Sequence, residues 1–131
     1  MACSTINVMI PAMDVWTKGS DANRVQFRIS GFQSTAGIKD VRPILELLSL
    51  SGGLVIEVGY ETANNEGSPD AIAWLANFAA STEGVTTGTW TDIASALAAK
   101  ASVRWWLGVK NANAGTLREL GRIMGGRIEL R

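Results

Sequence analysis

The chain contains no histidine, one cysteine (Cys3), one tyrosine (Tyr60) and three scattered prolines in 131 residues. Without imidazole, and with a single thiol, zinc, copper and haem lose their customary protein ligands. The same absences remove every pairing of serine or cysteine with a histidine base. Cys3 has no second cysteine to bridge and reads as a tolerated thiol rather than a nucleophile. An excess of either charge is also missing. Twelve Lys plus Arg balance twelve Asp plus Glu, which leaves no electrostatic footprint for nucleic acid or an anionic membrane. Apolar runs are short and interrupted, as in Ala71 to Ala80 with Asn77 inside it, far from the roughly 20 residues of a membrane span. The opening MACSTINVMIP has neither a positive n-region nor a proper hydrophobic core, so it does not read as a secretory signal. Production and assembly in a cytosol are expected.

What is present is apolar and neutral: 47% hydrophobic residues against 18% charged, below the usual quarter. A chain of this length can bury roughly two-thirds of its unfolded surface, enough for a core without staples. Alternation of period two recurs along it. Ile6, Val8 and Ile10 carry it first, then Val25, Phe27 and Ile29, then Leu54, Ile56, Val58 and Tyr60. Near the end it returns in Val103, Trp105, Leu107 and Val109, and in Met124, Gly126, Ile128 and Leu130. Turn signals separate these runs at Lys18–Asp21, Ser51-Gly52-Gly53, Asn64–Asp70, Glu83-Gly84 and Asn111–Gly115. VRPILELLSL, residues 41–50, fits a helix or a buried strand; the strand is preferred because Ser-Gly-Gly then leads into Leu54 as a hairpin. Ala71–Ala80 and Ile93–Ala101 are Ala-rich and compatible with short helices, although Trp74, Leu75 and Phe78 would also serve a strand. The expectation is one all-β domain over 1–131, an antiparallel β-sandwich of jelly-roll type with one or two short helical segments. Residues 1–20 would form an N-terminal arm or edge strand. Seven or eight strands joined by loops of unequal length suit Greek-key crossings better than an even meander.

Catalytic and ligand-binding candidates thin out quickly. Glu61, Asn64, Asn65, Glu66 and Asp70 crowd one loop with oxygen atoms but lack EF-hand spacing, and a solvated turn is the better reading. Glu57 and Glu61 sit four apart on one strand face, about 13 Å by strand rise, wider than glycosidase chemistry requires; they read as outward, solubilising residues. No GxSxG, SxxK, GxGxxG or Walker spacing occurs. Arg118, Arg122, Arg127 and Arg131 against Glu119 and Glu129 give a local cationic excess, read as a solvated strand face. No catalytic residue, metal or cofactor is expected. Five tryptophans remain. Trp105 and Trp106 are adjacent, so on a strand one points inward and the other out. With Trp105 in the core, Trp106 faces solvent, a partner or a covering layer.

The order of pieces ILELLSLSGG, LVIEVGYETANN, TWTDIA, VRWWLGVKNANAGT and GGRIEL resembles small β-sandwich virion proteins of tailed bacteriophages, of the head-decoration or cement type. The likeness covers roughly residues 44 to 130. It departs from the pattern in the long stretch from Gly67 to Gly88 and in Arg104-Trp105-Trp106, where an Arg-Tyr-Val pattern is expected. The resemblance implies a non-enzymatic, homo-oligomeric coat component. It would bind the major capsid protein or other virion proteins, with no nucleic acid or membrane partner, and stabilise the head across adjacent subunits. Ile6, Val8, Ile10 and Trp106 are then the expected contacts. The alternative is a carbohydrate-binding or host-adhesion module in which Trp74, Trp90 or Trp106 stacks on sugar.

Overall fold

The computed structural model describes residues 5–17, 24–48, 53–65, 67–112 and 118–131. Cys3, the turn signals Lys18–Asp21 and Ser51-Gly52, Glu66, and most of Asn111–Gly115 lie outside the described residues. Among the described residues, eleven strands and one short helix follow in order: β1 (Ile6–Ile10), β2 (Met13–Trp16), β3 (Val25–Arg28), β4 (Gln33–Ser34), β5 (Asp40–Leu48), β6 (Leu54–Ala63), β7 (Ala73–Trp74), β8 (Gly84–Thr87), β9 (Thr91–Asp92), α1 (Ala94–Leu97), β10 (Ser102–Asn111) and β11 (Leu120–Leu130).

They form two antiparallel sheets. The first runs β1-β11-β5-β8, with β2 also on β11 and β9 on β5; the second runs β3-β10-β6-β7, with β4 also on β10. The pairing is nested about the middle of the chain. β1 pairs with β11, β3 with β10, β5 with β8, and β6 with β7. Successive pairs fall alternately in the two sheets, so the molecule is one long antiparallel ribbon rolled on itself. That is the jelly-roll sandwich.

The inner faces meet in a single apolar cluster. Val103, Trp105, Leu107 and Val109 from β10 are fully buried against Val41, Leu45 and Leu47 from β5 and Ile123, Ile128 and Leu130 from β11. Trp105 is the largest fully buried side chain. Its one polar atom is satisfied, because Nε1–H donates to Gln33 Oε1 at 3.1 Å. Its backbone N–H donates to Ser30 Oγ at 3.0 Å, which carries the β10 ladder across the break between β3 and β4. Among the described residues, no buried side-chain nitrogen or oxygen lacks a hydrogen-bond partner, as a dry core requires.

Three sequence expectations change. β5 and β6 do not form a hairpin: they belong to different sheets. Ala71–Ala80 is not helical. It holds β7, a turn at Ala76-Asn77, and backbone bonds from Leu75 N–H to Val58 O and between Ala80 and Ile56. Met124 does not share the inner face with Ile128 and Leu130. β11 gains one residue on β5 between Ile123 and Gly125, and this β-bulge reverses the facing; Ile123 points in and Met124 out. Ile93–Ala101 does contain a helix, α1, of four residues.

Just past the bulge, Gly126 lies against β5 so closely that a Cβ there would collide with the Ile44 carbonyl oxygen and lie 3.0 Å from Leu45 Cα. Both obstacles are backbone, so the sheet itself would have to shift. Gly126→Ala is expected to cost about 2–4 kcal/mol in urea unfolding. Gly31→Ala, where nothing lies within 4 Å, should be neutral or gain a few tenths of a kcal/mol.

Candidate functional site: two outer faces of unlike character

Because side chains alternate across a strand, each inward residue sends its neighbour to an outer face. On the second sheet that face is closed by the chain itself. Gly59 on β6 and Gly108 on β10 leave a trough without side chains, and the Trp74 indole from β7 lies in it. A Cβ on either glycine would come within 2.7 Å of the ring. The Arg24 guanidinium sits 4.7 Å from the Trp74 centroid and donates to Glu57, with Nε 2.8 Å from Oε1. Lys110 reaches the same carboxylate at 3.4 Å.

A second cluster follows along the same strands. Trp106 Nε1–H donates to Glu61 Oε1 at 3.2 Å, and Arg104 Nε donates to the same oxygen. The Arg104 guanidinium lies 4.3 Å from the Phe32 centroid and 5.5 Å from that of Trp106. Glu57 and Glu61 are therefore not solvated positions. Each is a largely buried carboxylate held by an arginine that also covers an aromatic ring, an arrangement that satisfies the carboxylates as burial demands. At the sheet's end, Asp70 accepts hydrogen bonds from Lys100 and Thr62. The Lys100 bond above all holds its carboxyl below the usual range.

One end of the first sheet is closed in the same manner. Trp90 carries two guanidiniums, Arg131 at 4.0 Å and Arg42 at 4.8 Å from its centroid. Arg42 grips Glu129 at 2.6 Å, Arg127 reaches Glu129 at 3.4 Å, and Arg131 reaches Asp40 at 3.3 Å. Hydrogen bonding from Arg42, supported by Arg127, holds the Glu129 carboxyl below its ordinary 4.5 against the opposing effect of burial.

The rest of that face exposes large apolar side chains among the charged Asp14, Arg122 and Glu46. Met9, Leu48, Val85, Leu120 and Met124 stand on it, exposed from 44% at Met124 to 66% at Met9, and Trp16 sits at its β2 edge with its ring edge-on to Phe27 of the second sheet, 5.0 Å between centroids. Cross-strand register places Trp16 beside Leu120, Arg122 between Asp14 and Leu48, and Val85 beside Glu46. A shallow hollow of about 380 Å³ lies at the β2–β11 end, between Asp14, Val15, Trp16, Leu120, Gly121 and Arg122. Among the described residues, no group of three or more His, Cys, Asp or Glu converges on a common point.

The residues singled out from the sequence are scattered over this map. Ile10 is buried and Val8 packs against the core, so of the expected contacts on β1 only Ile6 is exposed. Alternation reads these residues as a half-buried strand, and pairing with β11 makes β1 an edge strand of the first sheet. Trp106 is half-buried in the covering layer, and Trp74 and Trp90 are half-buried as well. These three indoles form no common platform, since Trp74 and Trp106 lie on the second sheet and Trp90 on the first. Each already has an arginine on its ring. Sequence reasoning passed over the open patch. Its signal was present in the outward positions of β5 and β8, where Leu48 and Val85 occupy sites that alternation assigns to solvent.

No protein-family model matches the chain, and no curated protein matches it. Solved structures do. The chain is similar to the structure of infectious bursal disease virus strain Gx (TM-score 0.57, 8% identity, 98% of this chain and 33% of that one). It is likewise similar to the infectious bursal disease virus VP2 subviral particle (TM-score 0.58, 7% identity, 97% and 32%) and to strain Gt (TM-score 0.55, 9% identity, 96% and 32%). The chain thus spans about a third of the length of these viral proteins, and at such identities the likeness is one of fold.

The Glu129 cluster sets a pH dependence. Its folded-state pKa is lowered, so the stabilisation is complete above about pH 4.5 and is lost as pH falls through the lower folded value. Glu129→Gln should be less stable than the parent by about 1–3 kcal/mol near neutral pH. In urea melts the gap should narrow steadily from pH 5 towards pH 3.

Proposed function

We propose that this chain is a non-enzymatic structural protein of a virus particle, of the head-decoration or cement type. The observation that carries the reading is the rolled-ribbon fold, shared over nearly the whole chain with proteins of infectious bursal disease virus. The order of sequence pieces that resembles phage decoration proteins narrows it to tailed phages. Three further features point the same way: the formal charge is zero, the acidic residues of the second sheet are engaged by cations, and the first sheet exposes several large apolar side chains on its outer face. Exposed apolar side chains grouped among polar ones mark an interaction surface.

The action is mechanical. Each copy bound across neighbouring capsid subunits buries apolar surface worth about 25 cal/mol per Å², and many weak contacts add to one stable shell. Ile6 on the β1 edge and the open face of the first sheet are the contacts assigned to this role. In cells the protein would be found in the virion, assembled in the host cytoplasm.

Co-sedimentation of the purified chain with bare capsids of its source particle, read as copies per shell, tests the proposal. Saturation at a copy number that matches a capsid symmetry class is the expected result. No binding to shells, together with a glycan-dependent shift in tryptophan fluorescence, would overturn it in favour of host adhesion.

A further inference from the structure

We infer that the hollow between β4 and the end of β6 is a binding site for a neutral saccharide. It lies at one end of the second sheet, where Ser102 of β10 pairs with Ser34 of β4 on one side and with Ala63 of β6 on the other. Its volume is about 600 Å³, within the range of small-ligand sites. Phe32, Ser34, Asn64, Asn65 and Ser102 stand in its wall, and no charged residue does.

The hydrogen bonds decide what the hollow offers. Asn64 Oδ1 accepts from the Ala101 backbone N–H at 3.2 Å, and Asn65 Oδ1 from that of Gly67 at 2.9 Å. Both partners can only donate, so each carboxamide is held with its oxygen towards the backbone and its NH2 group turned away. Neither NH2 group has a protein acceptor among the described residues. Ser34 Oγ accepts from the Ala36 N–H at 3.1 Å and keeps its own hydrogen to give. Ser102 does the reverse: its hydroxyl donates to Ala63 O at 3.2 Å and keeps lone pairs to accept. Three side chains thus offer donors and one an acceptor, beside the Phe32 ring.

That set selects the occupant. A sugar hydroxyl both gives and accepts, and the C–H face of a sugar ring packs on an aromatic one. An anion gains little here, because the nearby cations are engaged: Lys100 by Asp70 at 2.8 Å, and Arg104, which lies 4.3 Å from the Phe32 centroid, by Glu61. An apolar ligand would take water from the two NH2 groups and give nothing back. The loop that reads in the sequence as a solvated turn supplies both amides.

The test is a nuclear magnetic resonance titration of the full, 15N-labelled chain with glucose, galactose, N-acetylglucosamine, maltose and lactose. At least one should shift the side-chain NH2 signals of Asn64 and Asn65 saturably, with a Kd of roughly 1–10 mM for so open a site. Asn64→Asp keeps the oxygen that accepts from Ala101 and removes the NH2 group. It should bind that sugar about tenfold more weakly, with backbone signals away from the hollow unmoved. Asn7→Asp makes the same change on β1 of the other sheet and should bind like the parent. Glucuronate and galacturonate should bind more weakly than the neutral sugar. No saturable shift with any of the five sugars, shifts that map away from the hollow, an Asn64→Asp variant that binds like the parent, or tighter binding of the sugar acids would each overturn the inference. Shell binding is read separately: sugar binding without it would leave this inference standing, and shell binding without sugar binding would leave the proposed function standing.

Discussion

Two inner faces must bury one another around a single indole. Trp105 is too large to be accommodated by local adjustment, and with one polar atom it needs one fixed partner, which Gln33 supplies. To surround it, β10 must lie mid-sheet between β3 and β6, opposite β5 and β11. The nested ribbon achieves this with every strand antiparallel to its neighbours. The bulge at Met124 and the missing side chain at Gly126 follow from the same demand, since together they let β11 press against β5 while keeping Ile123, Ile128 and Leu130 inside.

Alternation then sends as many side chains outward as inward, and the chain treats its outer faces in opposite ways. The second sheet covers itself. Trp74 fills the trough over Gly59 and Gly108, while Arg24, Arg104 and Lys110 neutralise Glu57 and Glu61. Cation–ring contacts of this kind contribute about 0.5–2 kcal/mol each and leave little aromatic surface for a ligand. The first sheet repeats the device only around Trp90. Beyond it Met9, Leu48, Val85 and Met124 are exposed. The proposed role in an assembly rests on this contrast between the two outer faces.

Much of this was legible in the sequence, and the omissions share a cause. The alternations at Leu54–Tyr60 and Val103–Val109 identified strands and their inward residues because a half-buried strand leaves a period of two. The inward place of Trp105 followed from its neighbours. What alternation cannot carry is partnership across the chain. It assigned Glu57 to an outer face without showing that Arg24, 33 positions earlier, would lie over it. It took Ser-Gly-Gly for a hairpin because turn chemistry is local, whereas the choice between turning back and crossing to the other sheet is made by β10 and β11 far downstream. Ala71–Ala80 misled for a related reason: β7 is two residues long and exists because β6 offers it backbone partners. Met124 fell on the wrong face because one inserted residue reverses parity, and no residue type marks where a strand will bulge.

Hydroxyl-radical footprinting of the chain, dilute and free against packed in its source particle, tests the central claim most directly. The account predicts that oxidation of Met9, Met124 and Trp16 falls sharply on assembly, while Trp74 and Trp106, already covered in the free chain, change little. Unchanged labelling of the first three residues, with new protection over the Trp74–Trp106 face, would contradict it.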